Sequence, residues 1–195
     1  IRSISEFTEK QVLNFGYQGL FVRFPAWINI DNYFDANIER SYLDTFNIIF
    51  VGSVTDRKNP KLIIESLEEI DRDVSLEIIG QTPNLKYLNE LNKLISSSKH
   101  SKSITMTPFI KSEELISKYS SANLFILPSK SEGLGRVIIE AQSTACPVLV
   151  SSNTGMVDLI IENETGYIFE NNNKHDLSKK IQYIMDNYEN ALQTG

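Results

Sequence analysis

The chain has 195 residues, 41% of them hydrophobic, a formal charge of −6 and one cysteine. That length fits one domain, or a domain plus a fragment, with a sizeable core. The single cysteine excludes an internal disulfide, no apolar run reaches the roughly 18 residues of a membrane span, and an acidic chain without a Lys/Arg cluster is a poor nucleic-acid binder.

The first residues, Ile1 to Lys10, lack the basic start and apolar stretch of a signal peptide. An opening without Met suggests a segment of something longer. Ser3 to Asn14 reads as a short helix and Leu20–Phe24 as a strand. Pro25 to Phe34, including Trp27, reads as an extended linker with Trp27 packed on the core. Asp35 to Thr45 is polar and is expected to be mobile.

From residue 46 onward the pattern is regular. Apolar, β-rich runs predict strands at Asn47–Gly52, Ser75–Gly80, Ser103–Pro108, Asn123–Pro128, Pro147–Val150 and Gly166–Phe169. Helices are predicted near 58–70, 84–98, 112–120, 135–145, 155–162 and 174–192. Leu62, Ile63, Ile64 and Leu67 recur at helical spacing. Ser112 with Glu113 and Glu114 reads as a helix start with acids in its first turn. Cys146 reads as a small core residue in a reducing compartment. His100 and His175 read as surface residues, and no Cys/His/carboxylate spacing suggests a metal site.

Strands that are apolar throughout are buried on both faces, and strands separated by helices pair in parallel. The expected fold class is therefore α/β: a Rossmann-like, doubly wound parallel sheet of about six strands. Ligands of such sheets sit at the carboxyl ends of the strands. The loops to inspect are 52–59, 80–84, 108–112, 128–135 and 151–155.

The segment Leu127 to Ala141 (LPSKSEGLGRVIIEA) joins a strand end, a glycine-containing loop and a helix start. Free N–H groups of a first helical turn, at the positive end of its dipole, attract anions. Gly133 and Gly135 let the backbone approach a ligand closely. Glu132 and Glu140 have seven residues between them, and a loop folded back over the helix start would turn both carboxylates to one cleft.

Pro128-Ser129, Glu132-Gly133 and Glu140-Ala141 resemble the glutamate-x7-glutamate signature of the retaining glycosyltransferases of family 4, which have the GT-B fold. Other positions agree in order. Val51-Gly52-Ser53 with Arg57-Lys58 resembles the first strand and phosphate loop of the family's donor domain. Phe109-Ile110-Lys111-Ser112-Glu113-Glu114-Leu115 resembles the segment lining the base. Cys146-Pro147-Val148 resembles its Gly-x-Pro-Val strand. Thr154-Gly155 with Asp158, and Asn163-Glu164-Thr165-Gly166, resemble its Gly-Gly-x-x-Glu and Asp-Gly-x-x-Gly elements. Ser5-Glu6-Phe7-Thr8 and Pro25 to Phe34 resemble the end of the first domain and the interdomain linker. The resemblance covers nearly the whole chain.

It implies the C-terminal, donor-binding domain of a two-domain enzyme. Residues 1–34 would be a remnant of the N-terminal domain with the linker, and 35–195 the nucleotide-sugar-binding domain. The implied activity is retaining, hexosyltransferase-type transfer from a nucleotide-diphosphate sugar to a glycan, lipid or other acceptor hydroxyl, with cell-surface polysaccharide or glycoconjugate synthesis as the setting. Glu140 would accept hydrogen bonds from the ribose. Glu132 would orient the sugar with the backbone of Gly133, Leu134 and Gly135. The amides of Arg136 and Val137 would hold the distal phosphate, beside the Gly52-Ser53 loop and Arg57. Lys58 would neutralise the leaving diphosphate. Ile110 would read the base edge with Phe109 beside it. Neither metal nor cofactor is implied. Front-face attack assisted by the leaving phosphate would keep the anomeric configuration.

The implied partners are a nucleotide sugar and the missing acceptor-binding half. The implied location is cytoplasmic, with a peripheral seat at the inner face of the membrane open to the parent protein. The isolated chain is expected not to transfer sugar. Departures from the pattern are Ser53 for an arginine, Ala26-Trp27 for Asn-Gly, Thr154 and Ala145 for glycines, and Asp158 for Glu. They leave open a non-catalytic GT-B-like module that binds a sugar or a protein partner. A phosphorylase would need a cofactor-lysine motif that is not found, and no Gly-x-Gly-x-x-Gly follows the first strand as in a dinucleotide oxidoreductase.

Overall fold

The computed structural model describes residues 1–23, 29–34, 40, 42 and 44–195. Expectations for Trp27, for the rest of the 24–28 stretch and for most of 35–43 lie outside the described residues. Strands β1 (Arg2–Ser3) and β2 (Val22–Arg23) pair in parallel, with helix α1 (Glu6–Asn14) between them. Ser5 starts α1 through a capping box with Thr8, which satisfies two otherwise orphan donors. No residue of α1 is buried. The predicted helix thus begins later than Ser3, because Arg2 and Ser3 are taken by strand pairing.

Helix α2 is a single turn, Asp31–Phe34, where an extended linker was expected; the Tyr33 N–H bonds the Ile30 carbonyl at 2.9 Å. Part of the polar 35–45 stretch is anchored, not mobile. Arg40 donates to the carbonyls of Ala145, Tyr119 (2.6 Å) and Thr144 (3.0 Å). Tyr42 stacks edge-on against Phe46 at 5.0 Å.

The main sheet contains β3 (Phe46–Val51), β4 (Val74–Ile79), β5 (Ile104–Thr107), β6 (Leu124–Leu127), β7 (Val148–Ser151) and β8 (Tyr167–Phe169). All pairings are parallel and the order is β5-β4-β3-β6-β7-β8. The crossovers carry α3 (Pro60–Leu67), α4 (Leu85–Ser97), α5 (Ser112–Ser121) and α6 (Arg136–Gln142). The chain closes with α7 (Lys174–Asp186) and α8 (Tyr188–Ala191). Propagation runs outward from β3 in one direction and from β6 in the other, so the strand order reverses between them. Ligands of open α/β sheets bind at the carboxyl ends beside such a reversal. Here those ends lead into loops 52–59 and 128–135.

All six predicted strands are present within a residue or so. Burial on both faces holds for β6 and β7, every residue of which is buried. It fails for β4, where Ser75 and Glu77 alternate with buried Leu76 and Ile78. Ser75 bonds Asn47 at 2.7 Å and Glu77 pairs with Lys118 at 2.9 Å, so this half of the sheet keeps one polar face.

The helix expected at 155–162 is only a 3-10 turn, Val157–Leu159, ended by extended Ile160. The helix expected through 192 breaks at Asn187, whose side-chain amide bonds the Tyr183 carbonyl at 2.8 Å. His100 is half-buried, not a surface residue. Its Nε2 lies 3.1 Å from the carbonyls of Leu67 and Ile70, at the end of α3. His175 is exposed and pairs with Glu69 at 2.7 Å. Cys146 is fully buried, and burial pushes its thiol up to about 12. No helix among the described residues is long and apolar enough to cross a membrane.

Candidate functional site

The two loops at the reversal are joined directly. The Lys130 N–H donates to the Arg57 carbonyl at 2.8 Å. The chain leaves β3 through Gly52, at φ +149°, and turns into α3 through Asn59, at φ 54°. Pro60 then opens the helix, where its missing N–H costs nothing. This places Lys58 two residues before a rigid helix start, and Thr55 Oγ accepts its N–H at 3.3 Å. The Lys58 ammonium is bonded to Glu132 Oε2, and both side chains are largely enclosed, 13% and 16% exposed. Arg57 adds a second contact to the same oxygen at 3.3 Å and donates to the Ser131 carbonyl at 2.8 Å. Its side chain is 56% exposed.

The backbone of Glu132 is held by the loop after β7. Its N–H donates to the Asn153 carbonyl at 3.2 Å, and its carbonyl accepts from the Gly155 N–H at 2.8 Å. Asn153 also donates its side-chain amide to the Lys130 carbonyl at 2.9 Å. From the other side, Ser5 of the α1 cap donates to the Gly133 carbonyl at 2.8 Å. A Cβ at Gly155 would lie 1.8 Å from that carbonyl oxygen, so only glycine admits this packing. Ser129 and Thr154 have fully buried hydroxyls with no partner among the described residues.

Glu140 has different surroundings. Gly135, at φ 72°, precedes α6 and no side chain caps the helix start. Glu140 lies in the second turn, half-buried, with the Tyr119 hydroxyl 3.4 Å from Oε2. Burial raises its carboxyl above the usual range, while the charge of Arg136 and the Tyr119 hydroxyl pull it down. Tyr119 is fully buried and stacks against Tyr33 at 6.3 Å. Burial, and then the Glu140 charge, push the Tyr33 phenol up as well.

Of the residues singled out from sequence, the structure joins Arg57, Lys58 and Glu132 in one ion cluster, with Gly52, Gly133, Leu134 and Gly135 in the same two loops. A Cβ at Gly52 would lie 4.0 Å from Lys58 Cε. Arg136 and Val137 open α6. Ser53 is an exposed loop residue. Phe109 is 72% exposed beyond β5, while Ile110 packs partly on the core; both follow β5, which β4 and β3 separate from β6. The sequence reading missed Tyr119, Tyr33 and Asn153, since nothing local marks a tyrosine or asparagine as the neighbour of a distant loop.

The family model for glycosyl transferases group 1 matches residues 32–195. The chain belongs to that family. The capsular polysaccharide biosynthesis glycosyltransferase CapM of Staphylococcus aureus is 26% identical over 178 residues, covering 90% of this chain and 46% of that protein. A D-inositol 3-phosphate glycosyltransferase of Pseudarthrobacter chlorophenolicus is 25% identical over 156 residues, covering 77% of this chain and 37% of that protein. The chain therefore spans less than half the length of these curated relatives.

Among solved structures, a glycosyltransferase from Rickettsia africae matches 99% of this family member and 55% of its own chain, with a TM-score of 0.84 at 21% identity. Anabaena HepE, solved in complex with UDP and glucose, matches over the same shares with a TM-score of 0.86 at 15% identity. At such identities these likenesses establish the fold alone.

Proposed function

We propose that this chain is the donor-binding half of a retaining, metal-independent glycosyltransferase that uses a nucleotide-diphosphate sugar. The observation that carries the reading is the meeting of Lys58 and Glu132, from two loops, at the point where strand order reverses. In this reading Lys58 and Arg57 face the diphosphate, with the amides of Arg136 and Val137 at the uncapped start of α6. Glu132 orients the sugar, Glu140 accepts from the ribose, and the backbone of Ile110 meets the base. Lys58 stabilises the charge that develops as the sugar–phosphate bond breaks. The UDP and glucose held by HepE support a nucleotide-sugar ligand.

Residues 1–34 belong to the preceding acceptor-binding domain and its linker, and 35–195 form the donor domain. The acceptor is a glycan, lipid or other hydroxyl. The location is cytoplasmic, and the chain alone does not transfer sugar.

The test is a calorimetric titration of UDP, GDP and ADP into the chain without metal. One nucleotide binds selectively, and Glu140→Ala weakens it. A folded chain that binds none of the three removes the donor-site reading and leaves the sugar- or partner-binding module, which Ser53 and Thr154 in place of the family's arginine and glycine favour.

A further inference from the structure

The cations that the proposed reading assigns to the diphosphate are already committed to an acid of the neighbouring loop. Lys58 is bonded to Glu132 and Arg57 contacts the same carboxylate oxygen at 3.3 Å. Lys130, in the Glu132 loop, pairs likewise with Asp56 at 2.7 Å. Neither principal partner is free to withdraw. The Lys58 backbone is tied to Thr55 and to the start of α3, and the Glu132 backbone is clamped by Asn153 and Gly155. Only side-chain rotation separates the pair.

We infer that Glu132 and a diphosphate compete for Lys58, so that the site prefers an intact nucleotide sugar over the free nucleoside diphosphate. This rests on the donor-site reading above. A bound sugar offers its hydroxyls to the Glu132 carboxylate and compensates it for losing Lys58. A free diphosphate offers Glu132 no donor. It must either break the ion pair or lie against an uncompensated carboxylate that is only 16% exposed, where charge repulsion is weakly screened. Binding at one group thereby changes affinity at the other, and the coupling is reciprocal. After transfer the carboxylate loses its sugar, reclaims Lys58 and promotes release of the diphosphate. Glu132 is thus a specificity determinant as well as a sugar contact, and its removal improves binding of the product.

The test is a double-mutant cycle on the whole 195-residue chain. UDP, GDP and ADP are titrated into the wild type, Glu132→Gln, Lys58→Met and the double variant. The nucleotide that the wild type binds should bind Glu132→Gln about five- to fifty-fold more tightly. That gain should fall below about two-fold in the Lys58→Met background, because the competitor then has nothing to compete for. Glu132→Asp keeps the charge but falls one methylene short of Lys58. It should shift binding in the same direction, and it serves if Glu132→Gln does not fold. Unchanged or weaker binding by both Glu132 variants overturns the competition. Equal gains with and without Lys58 overturn it too, since repulsion alone then accounts for them. Absence of binding in all variants removes the donor-site reading together with the inference. Binding by the wild type without the gain removes the inference alone.

Discussion

Glu132 and Glu140, the two glutamates singled out from sequence, lie eight positions apart, yet they occupy contrasting environments. Glu132 is in a loop with little regular structure, but its backbone is clamped on both sides and its carboxylate is matched by Lys58 and Arg57. Glu140 is in a regular helix, but its carboxylate faces a buried tyrosine and is raised by burial. A loop can therefore hold a charge more firmly than a helix does, provided its backbone is paired and a counter-charge arrives from another strand. The comparison also separates two chemistries. A carboxylate matched by cations can exchange partners, while a desolvated one gains by accepting donors.

Several experiments would break or sharpen that contrast. The largest effect is expected at the Glu132 region. In a protein carrying both halves, Lys58→Met should lower the transfer rate by about 10²- to 10³-fold, read from kcat. A loss confined to KM would mean that Lys58 only binds. Next is the clamp. Gly155→Ala places a Cβ 1.8 Å from the Gly133 carbonyl and 2.5 Å from Ser5 Oγ, so backbone must move. A loss of about 1–3 kcal/mol is expected in urea denaturation. Gly133→Ala meets the flexible tip of Ile4 at 3.2 Å and the Thr8 methyl in ordinary contact at 3.9 Å, and should cost far less. Equal costs would mean that the loop is not clamped.

The Glu140 region should respond more weakly. Glu140→Ala takes away the Tyr119 hydroxyl's partner and should cost about 1 kcal/mol. The sign of the pH effect follows from the raised carboxyl. Its folded pKa lies above the usual 4.5, so the folded state binds the proton more tightly than the unfolded chain. The resulting stability is present below 4.5 and is lost as pH rises through the raised value. Denaturation of the wild type and Glu140→Gln at acidic and neutral pH should show the wild type gaining relative to the variant as pH falls. A difference independent of pH would place Glu140 in solvent. The smallest effect is expected at Thr154, whose hydroxyl is buried without a partner among the described residues. Thr154→Val should be neutral or stabilise by up to about 1 kcal/mol, measured as a shift in the denaturation midpoint. A clear destabilisation would reveal a partner for that hydroxyl.

Much of this was legible beforehand where the signal is local. The six main strands read from apolar runs such as Ile48 to Val51 and Leu124 to Leu127, because burial demands such runs whatever lies beside them. Glycines at 52 and 135 marked real turns, each at positive φ. The reading went wrong where the deciding partner is distant. Ser75 and Glu77 are tolerated because that face of β4 stays polar, which depends on where α5 lies. The helix expected at 155–162 is cut off at both ends, where Gly155 pairs with Glu132 and Glu162 bridges Gly166. His100 looked like a surface residue because nothing near it in sequence reveals the α3 carbonyls that it meets.

The sequence by itself determined the six main strands, most of the helices between them and the parallel α/β class, since helix and strand periodicity are written along the chain. Only the tertiary structure decided that Lys58, Arg57 and Glu132 form one cluster, that Asn153 and Gly155 hold the loop, and that Glu140 sits beside Tyr119. These are contacts between residues 21 to 75 positions apart. The first exists because strand order reverses between β3 and β6, the second because β6 and β7 pair side by side, and the third because α5 and α6 flank β6; the sequences of these segments say nothing of one another.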